Sequence, residues 1–128
     1  MNSTTGEALA PVRLVATLCA MAIEVWRLKS RSSRALPLLP PKEGRPLETS
    51  VLRLEELLLE ARVTIDDPMG RPYTDGERHQ VLLFEPRADV ARPTVAQTVK
   101  PAVFVDGVLF KPAEVIVATP LSAGVAAP

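Results

Sequence analysis

An Asp106-Gly107 pair stands between two short runs rich in β-branched and aromatic residues, within the segment TVAQTVKPAVFVDGVLFKPAEVIVA (residues 94–118). A two-residue type I′ turn needs positive φ at both central positions, and Asp-Gly between apolar runs is its strongest short-range signal. The spacing predicts that Val105 pairs with Val108, Phe104 with Leu109, and Val103 with Phe110. Alternation then puts Val103, Val105, Val108 and Phe110 on one face of the hairpin and Phe104 with Leu109 on the other. Both faces are apolar, so either the hairpin is sandwiched inside its domain or one face awaits a partner. No residue in the segment is suited to covalent chemistry, and it reads as a contact surface.

The hairpin sits in a longer run of strand signals. Candidate strands are Val63–Asp66, Gln80–Glu85, Thr94–Val99, Ala102–Val105, Val108–Phe110 and Glu114–Ala118. Pro68, Pro72, Pro86, Pro93, Pro101 and Pro112 fall between them, where a missing N–H does least harm. The chain holds 13 prolines in 128 residues, enough to cut it into short elements with stiff joints. Short strands at this density predict a small all-β barrel or sandwich. Aromatics make up only 4%, so the core must rely on Val, Leu, Ile and Ala.

Upstream the period is helical. Residues 11–29 (PVRLVATLCAMAIEVWRLK) predict a helix with proline in its first turn. The apolar run within it is shorter than the roughly 20 residues that a bilayer demands. Arg13, Thr17, Glu24 and Arg27 form one narrow polar stripe at helical period, which favours a bundle helix over a membrane anchor, and the anchor stays open as the alternative. A cleavable leader is disfavoured, because Lys29, Arg31 and Arg34 follow the apolar run. Residues 30–47 read as a Ser/Arg-rich, then proline-rich, linker. A second helix is expected from about Ser50 to Arg62, with Val51, Leu54, Leu57, Leu58 and Ala61 on one face. Leu52 and Leu59 widen that face and suggest a second neighbour. The expected organisation is α+β: an N-terminal helix and linker (1–47), a short helix with a β-domain (48–118), and a disordered tail (119–128).

The formal net charge is zero, so no global field draws the chain to nucleic acid. The one cysteine, Cys19, forms no internal disulfide, which suits a reducing, cytoplasmic setting. His79 is the single histidine, and such a residue at a strand start serves more often as a hydrogen-bonding group than as a base or metal ligand. Asp66-Asp67 precedes Pro68, a common turn opening as well as a potential cation site. Phosphate loops, paired Cys/His spacings and the G-x-S-x-G elbow are all missing from the sequence. The expectation is a protein that is not an enzyme, with no cofactor.

The order of segments resembles the GrpE family, the nucleotide exchange factors of DnaK-type chaperones. LEELLLEARVTIDDPMGRPYTDGERHQVLLFE follows the family's course from second helix to β-domain. Tyr73-Thr74-Asp75 stands where the family has Phe-Asp-Pro, His79 answers the motif histidine, and Val81 the motif alanine. Asp89-Val90 lies in the place of Asp-Asp-Val, and Phe110-Lys111-Pro112-Ala113-Glu114-Val115 resembles the closing Leu-Arg-Pro-Ala-x-Val strand. The likeness covers residues 54–118. It departs in one extra residue between Tyr73 and His79, in Ala102-Val103 for the family's Gly-Tyr, and in two helices shorter than the family's stalk.

The resemblance implies a co-chaperone that binds the ATPase domain of a DnaK-type chaperone and promotes ADP release, with homodimerisation through the helices. The family's partner-binding positions fall on Tyr73, Asp75, Val99 and Val117. Tyr73 is the best anchor, aromatics carrying interface energy out of proportion to their number; it serves equally well as a cover for the core. Val99 and Val117 fit core more readily than interface, since alternation alone does not say which face is exposed. The alternative function is a scaffold or membrane-tethered adaptor that uses the same β-domain without exchange activity.

Overall fold

Helical backbone runs from Asn2 through Pro11 and on to Ala35, well beyond both expected ends of the first helix. A computed structural model describes residues 2–121, with side chains from residue 10 onward. The elements are α1 (Asn2–Ala35), a 3-10 turn (Leu36–Leu38), α2 (Pro41–Glu60), β1 (Val63–Asp66), β2 (Gln80–Arg87), β3 (Thr94–Lys100), β4 (Ala102–Val105), β5 (Val108–Lys111) and β6 (Glu114–Pro120). The expected class is therefore observed, two helices followed by six strands. The strands do not close into a barrel. They form two open three-stranded sheets, β1-β4-β5 and β2-β6-β3.

The expected linker over residues 30–47 is mostly helix. Ser30 and Ser32 sit in the last turns of α1 by donating their hydroxyls to the carbonyls of Trp26 and Lys29, both at 3.1 Å. Pro41 opens α2, where the missing N–H has no intrahelical partner to lose. Only residues 36–40 remain as a connection. Of the expected tail, Thr119 and Pro120 extend β6; residues 122–128 lie outside the described residues.

By internal contact the chain forms two units, and their limits cut across the segments expected from sequence. The first unit combines residues 1–65 with the hairpin 103–110. Its core joins Cys19, Ala22 and Val25 of α1, Leu58 of α2, Val63 of β1, and Val103 and Val105 of β4. With the partly buried Val15 and Leu18 the α1 positions recur at three- and four-residue steps, one stripe of a 3.6-residue period. Fully burying each of the larger side chains is worth roughly 1.5–3 kcal/mol. Opposite them Arg13, Thr17 and Glu24 are exposed, as the polar stripe predicts. α1 is nevertheless not buried on most sides: Val12, Leu14 and Met21 are more than half exposed.

Asp106 and Gly107 have φ of 51° and 78°, the two positive values that a type I′ turn requires. The hairpin they form separates its two strands sharply in burial. Val103 and Val105 lie in the core, whereas Val108 and Phe110, expected on the same face, are 59% and 48% exposed. β5 is the outer strand of its sheet, beyond the core of the first unit. The turn is tied to the end of α2, where Arg62 takes a φ of 60° and its carbonyl accepts the Asp106 N–H at 2.9 Å.

Of the described residues, the second unit holds 66–102 and 111–121. β6 is its central strand, parallel to β2 and antiparallel to β3. Val95, Val115, Val117 and Ala118 are buried to 1% exposure or less.

Candidate functional site

The two outer strands of the second sheet meet different fates. Along β3, the loop after β1 lies against the free edge. Gly70 donates its N–H to the Val95 carbonyl at 2.8 Å, and Val95 donates to the Arg71 carbonyl at 2.9 Å. Tyr73 then donates to the Pro93 carbonyl at 2.9 Å, and Pro72 bridges Thr94. β2 has β6 as its sole strand neighbour among the described residues. Leu82, Leu83 and Phe84 on this edge strand are 47%, 55% and 53% exposed.

The sequence of the loop dictates its shape. The guanidinium of Arg71 donates to both carboxylate oxygens of Asp66, at 2.9 and 2.6 Å, a forked pair. Those hydrogen bonds and the charge of Arg71, with a smaller contribution from His79, hold the Asp66 carboxyl below its ordinary range against an opposing effect of burial. Asp67 accepts the Met69 N–H at 3.0 Å and the Thr98 hydroxyl, and Gly70 turns the chain at a φ of 84°. Thr74 and Glu77 close a second turn, with Asp75-Gly76 at its crown and Gly76 at a φ of 91°. The Thr74 N–H and hydroxyl both donate to the Glu77 carboxylate.

This scaffold fixes the expected site residues in unequal positions. Tyr73 is half-buried, with its ring edge-on to Phe84 at a centroid separation of 6.2 Å and an interplanar angle of 70°. Asp75 is exposed at the turn crown. Val99 is half-buried on β3. Val117 is withdrawn as a contact residue: it lies on the central strand with no exposed surface. His79 is largely covered, with Nε2 3.1 Å from a Glu77 oxygen. Both Asp66 oxygens accept from Arg71 and Asp67 Oδ1 accepts from Met69 and Thr98, and the described residues hold no cluster of three or more potential metal ligands.

Sequence reasoning passed over Leu82, Leu83 and Phe84. The signal was there: four successive apolar residues in one strand put apolar groups on both faces, which only a strand covered on both sides can hide. A register irregularity between Val81 and Leu83 adds to the exposure. The arrangement offers an aromatic pair, exposed apolar residues and the exposed carboxylate of Asp75, which suits recognition of a partner surface. No family model matches the chain, and no curated protein matches it.

Proposed function

We propose that this protein is a GrpE-like co-chaperone whose second unit docks on the ATPase domain of a DnaK-type chaperone and speeds the loss of ADP. One observation carries the reading: Tyr73 lies edge-on to a half-exposed Phe84, beside exposed Leu82 and Leu83 on an edge strand. An aromatic anchor within an apolar strip is the usual make-up of an interface hot spot. The contact set becomes Tyr73, Asp75 and Phe84, with Val99 secondary; Leu83, the residue before Phe84 on β2, lies on the other face of the sheet. The order of motifs along residues 54–118, which resembles that of the GrpE family, is what points to such a partner.

The physics needs no acid, base or nucleophile. A docked protein that prefers the open nucleotide cleft weakens ADP binding by the same factor by which ADP weakens docking, because coupling is reciprocal. Each tenfold loss of ADP affinity demands about 1.4 kcal/mol of preference for the open state. Dimerisation through the helices and a cytoplasmic setting belong to the same reading. The exposed Met21 and Leu28 support the first, beside a groove of about 370 Å³ between the helices that Ala20, Val25 and Leu54 also line. None of the described helices is long and apolar enough to cross a membrane.

The test is stopped-flow release of a fluorescent ADP analogue from a DnaK-type chaperone. Saturating protein accelerates release, and Phe84→Ala raises the concentration needed for half-maximal acceleration by roughly 30-fold. Binding without acceleration identifies a scaffold, and release unchanged with no binding ends the proposal.

A further inference from the structure

The end of the helical hairpin, remote in sequence from β2, has a make-up of its own. Residues 27–45 carry six basic residues and one acidic residue, Glu43, in a chain whose net charge is zero. The hairpin is antiparallel: Lys29 pairs with Glu55, while Cys19, a full ten residues earlier, shares the core with Leu58. The last turns of α1 and the first turns of α2 therefore come to the same end. Arg31 and Arg34 are three residues apart on α1, Lys42 and Arg45 three apart on α2, and each pair shares a helix face. All four are exposed, and none takes part in an ion pair among the described residues.

Between these two basic pairs the chain presents Leu38, 84% exposed and the most exposed large apolar residue among those described. Leu39 beside it is 36% exposed. The presentation is stiff. Pro37, Pro40 and Pro41 fix φ on either side, and Leu36 packs back on Gly44 so closely that a Cβ there would meet its Cδ2 at 3.3 Å. Little conformational freedom remains to be lost when the tip is immobilised.

We propose that this tip docks on an anionic bilayer surface, with Leu38 and Leu39 entering the boundary between headgroups and acyl chains while Arg31, Arg34, Lys42 and Arg45 meet the lipid phosphates and carboxylates. The charge is complementary, and an apolar crown ringed by cations matches a surface that is negative outside and apolar beneath. A nucleic acid or an acidic protein would satisfy the four cations and leave Leu38 without a role. The inference goes beyond the reading of β2 and stands without it.

Co-sedimentation of the full chain with vesicles of phosphatidylcholine alone, or mixed with phosphatidylserine, tests it. The protein binds the mixed vesicles and not the neutral ones, and added salt weakens binding. R31Q/R34Q lowers the partition coefficient by roughly 25-fold, about five-fold per charge. Leu38→Asn, which leaves the charge unchanged, lowers it by about ten-fold. Both variants keep the circular dichroism of the parent and, since they lie outside the β2 strip, leave ADP release unaltered. Equal binding to both vesicle types, binding to neither, or a Leu38→Asn variant that binds as the parent does while duplex DNA or polyglutamate competes the protein off, each overturns the proposal.

Discussion

β3 and β2 are the two edges of one three-stranded sheet, and the same chain treats them in opposite ways. β3 is covered at its start by residues 70–73, through two backbone hydrogen bonds at Val95 and a third at Pro93, just before the strand. Among the described residues β2 is left with an open edge, and it carries three exposed apolar side chains. Unpaired edges invite pairing with other chains, and proteins commonly blunt them with charge, proline or a covering loop. Here the cover was used on one side, while β2 carries a proline only near its end, at Pro86. The difference separates an edge that supports the fold from one open to contact.

Substitutions can break or sharpen that contrast. The largest effect is expected at the centre: Val117→Ala costs roughly 2–3 kcal/mol of stability in urea denaturation, because a fully buried side chain leaves a cavity behind. Partner affinity per folded molecule stays unchanged, and a loss there would restore Val117 to the contact set. At the open edge the pattern inverts. Phe84→Ala lowers partner affinity by roughly 2 kcal/mol, as a hot-spot truncation does, while stability falls by less than half of that. Equal losses in both would make β2 a structural edge like β3.

On the sealed side, Gly70→Ala meets no neighbouring atom within 4 Å, yet its φ of 84° disfavours any side chain. A cost of roughly 1–2 kcal/mol follows, with faster hydrogen exchange at the Val95 amide that the loop covers. Smallest is Asp66→Asn. The folded carboxyl is held below its unfolded value of about 3.9, so its contribution is present above that pH and is lost as pH falls through the folded value. The parent and variant therefore differ slightly near neutrality and converge in acid, measurable by thermal melts across that range. The effect is small because the Asp66–Arg71 pair is exposed.

The β half was legible because its determinants are local. Asp106-Gly107 dictates a turn by itself, and β1 and β4 run over the expected residues, Val63–Asp66 and Ala102–Val105. The helices were less so. Proline and serine read as punctuation between residues 30 and 47, but Pro41 occupies a helix start, and Ser30 and Ser32 bond to their own helix. Local composition carries no record of such placements. The candidate site was half legible. Tyr73 and Asp75 lie on a loop whose turn residues announce exposure, whereas Val99 and Val117 are chemically identical residues on different strands. Which of them is central depends on the strand order β2-β6-β3, a tertiary fact.

The first unit closes only when the hairpin at residues 103–110 joins the helices. A ribosome delivers α1 and α2 long before Val103 and Val105, the residues that complete their core. The emerging helices must therefore keep Cys19, Ala22 and Leu58 from other company while the intervening stretch is translated. A chain truncated before residue 103 would strand them in that unfinished condition, so the hairpin acts as a clasp fitted after both helices are made.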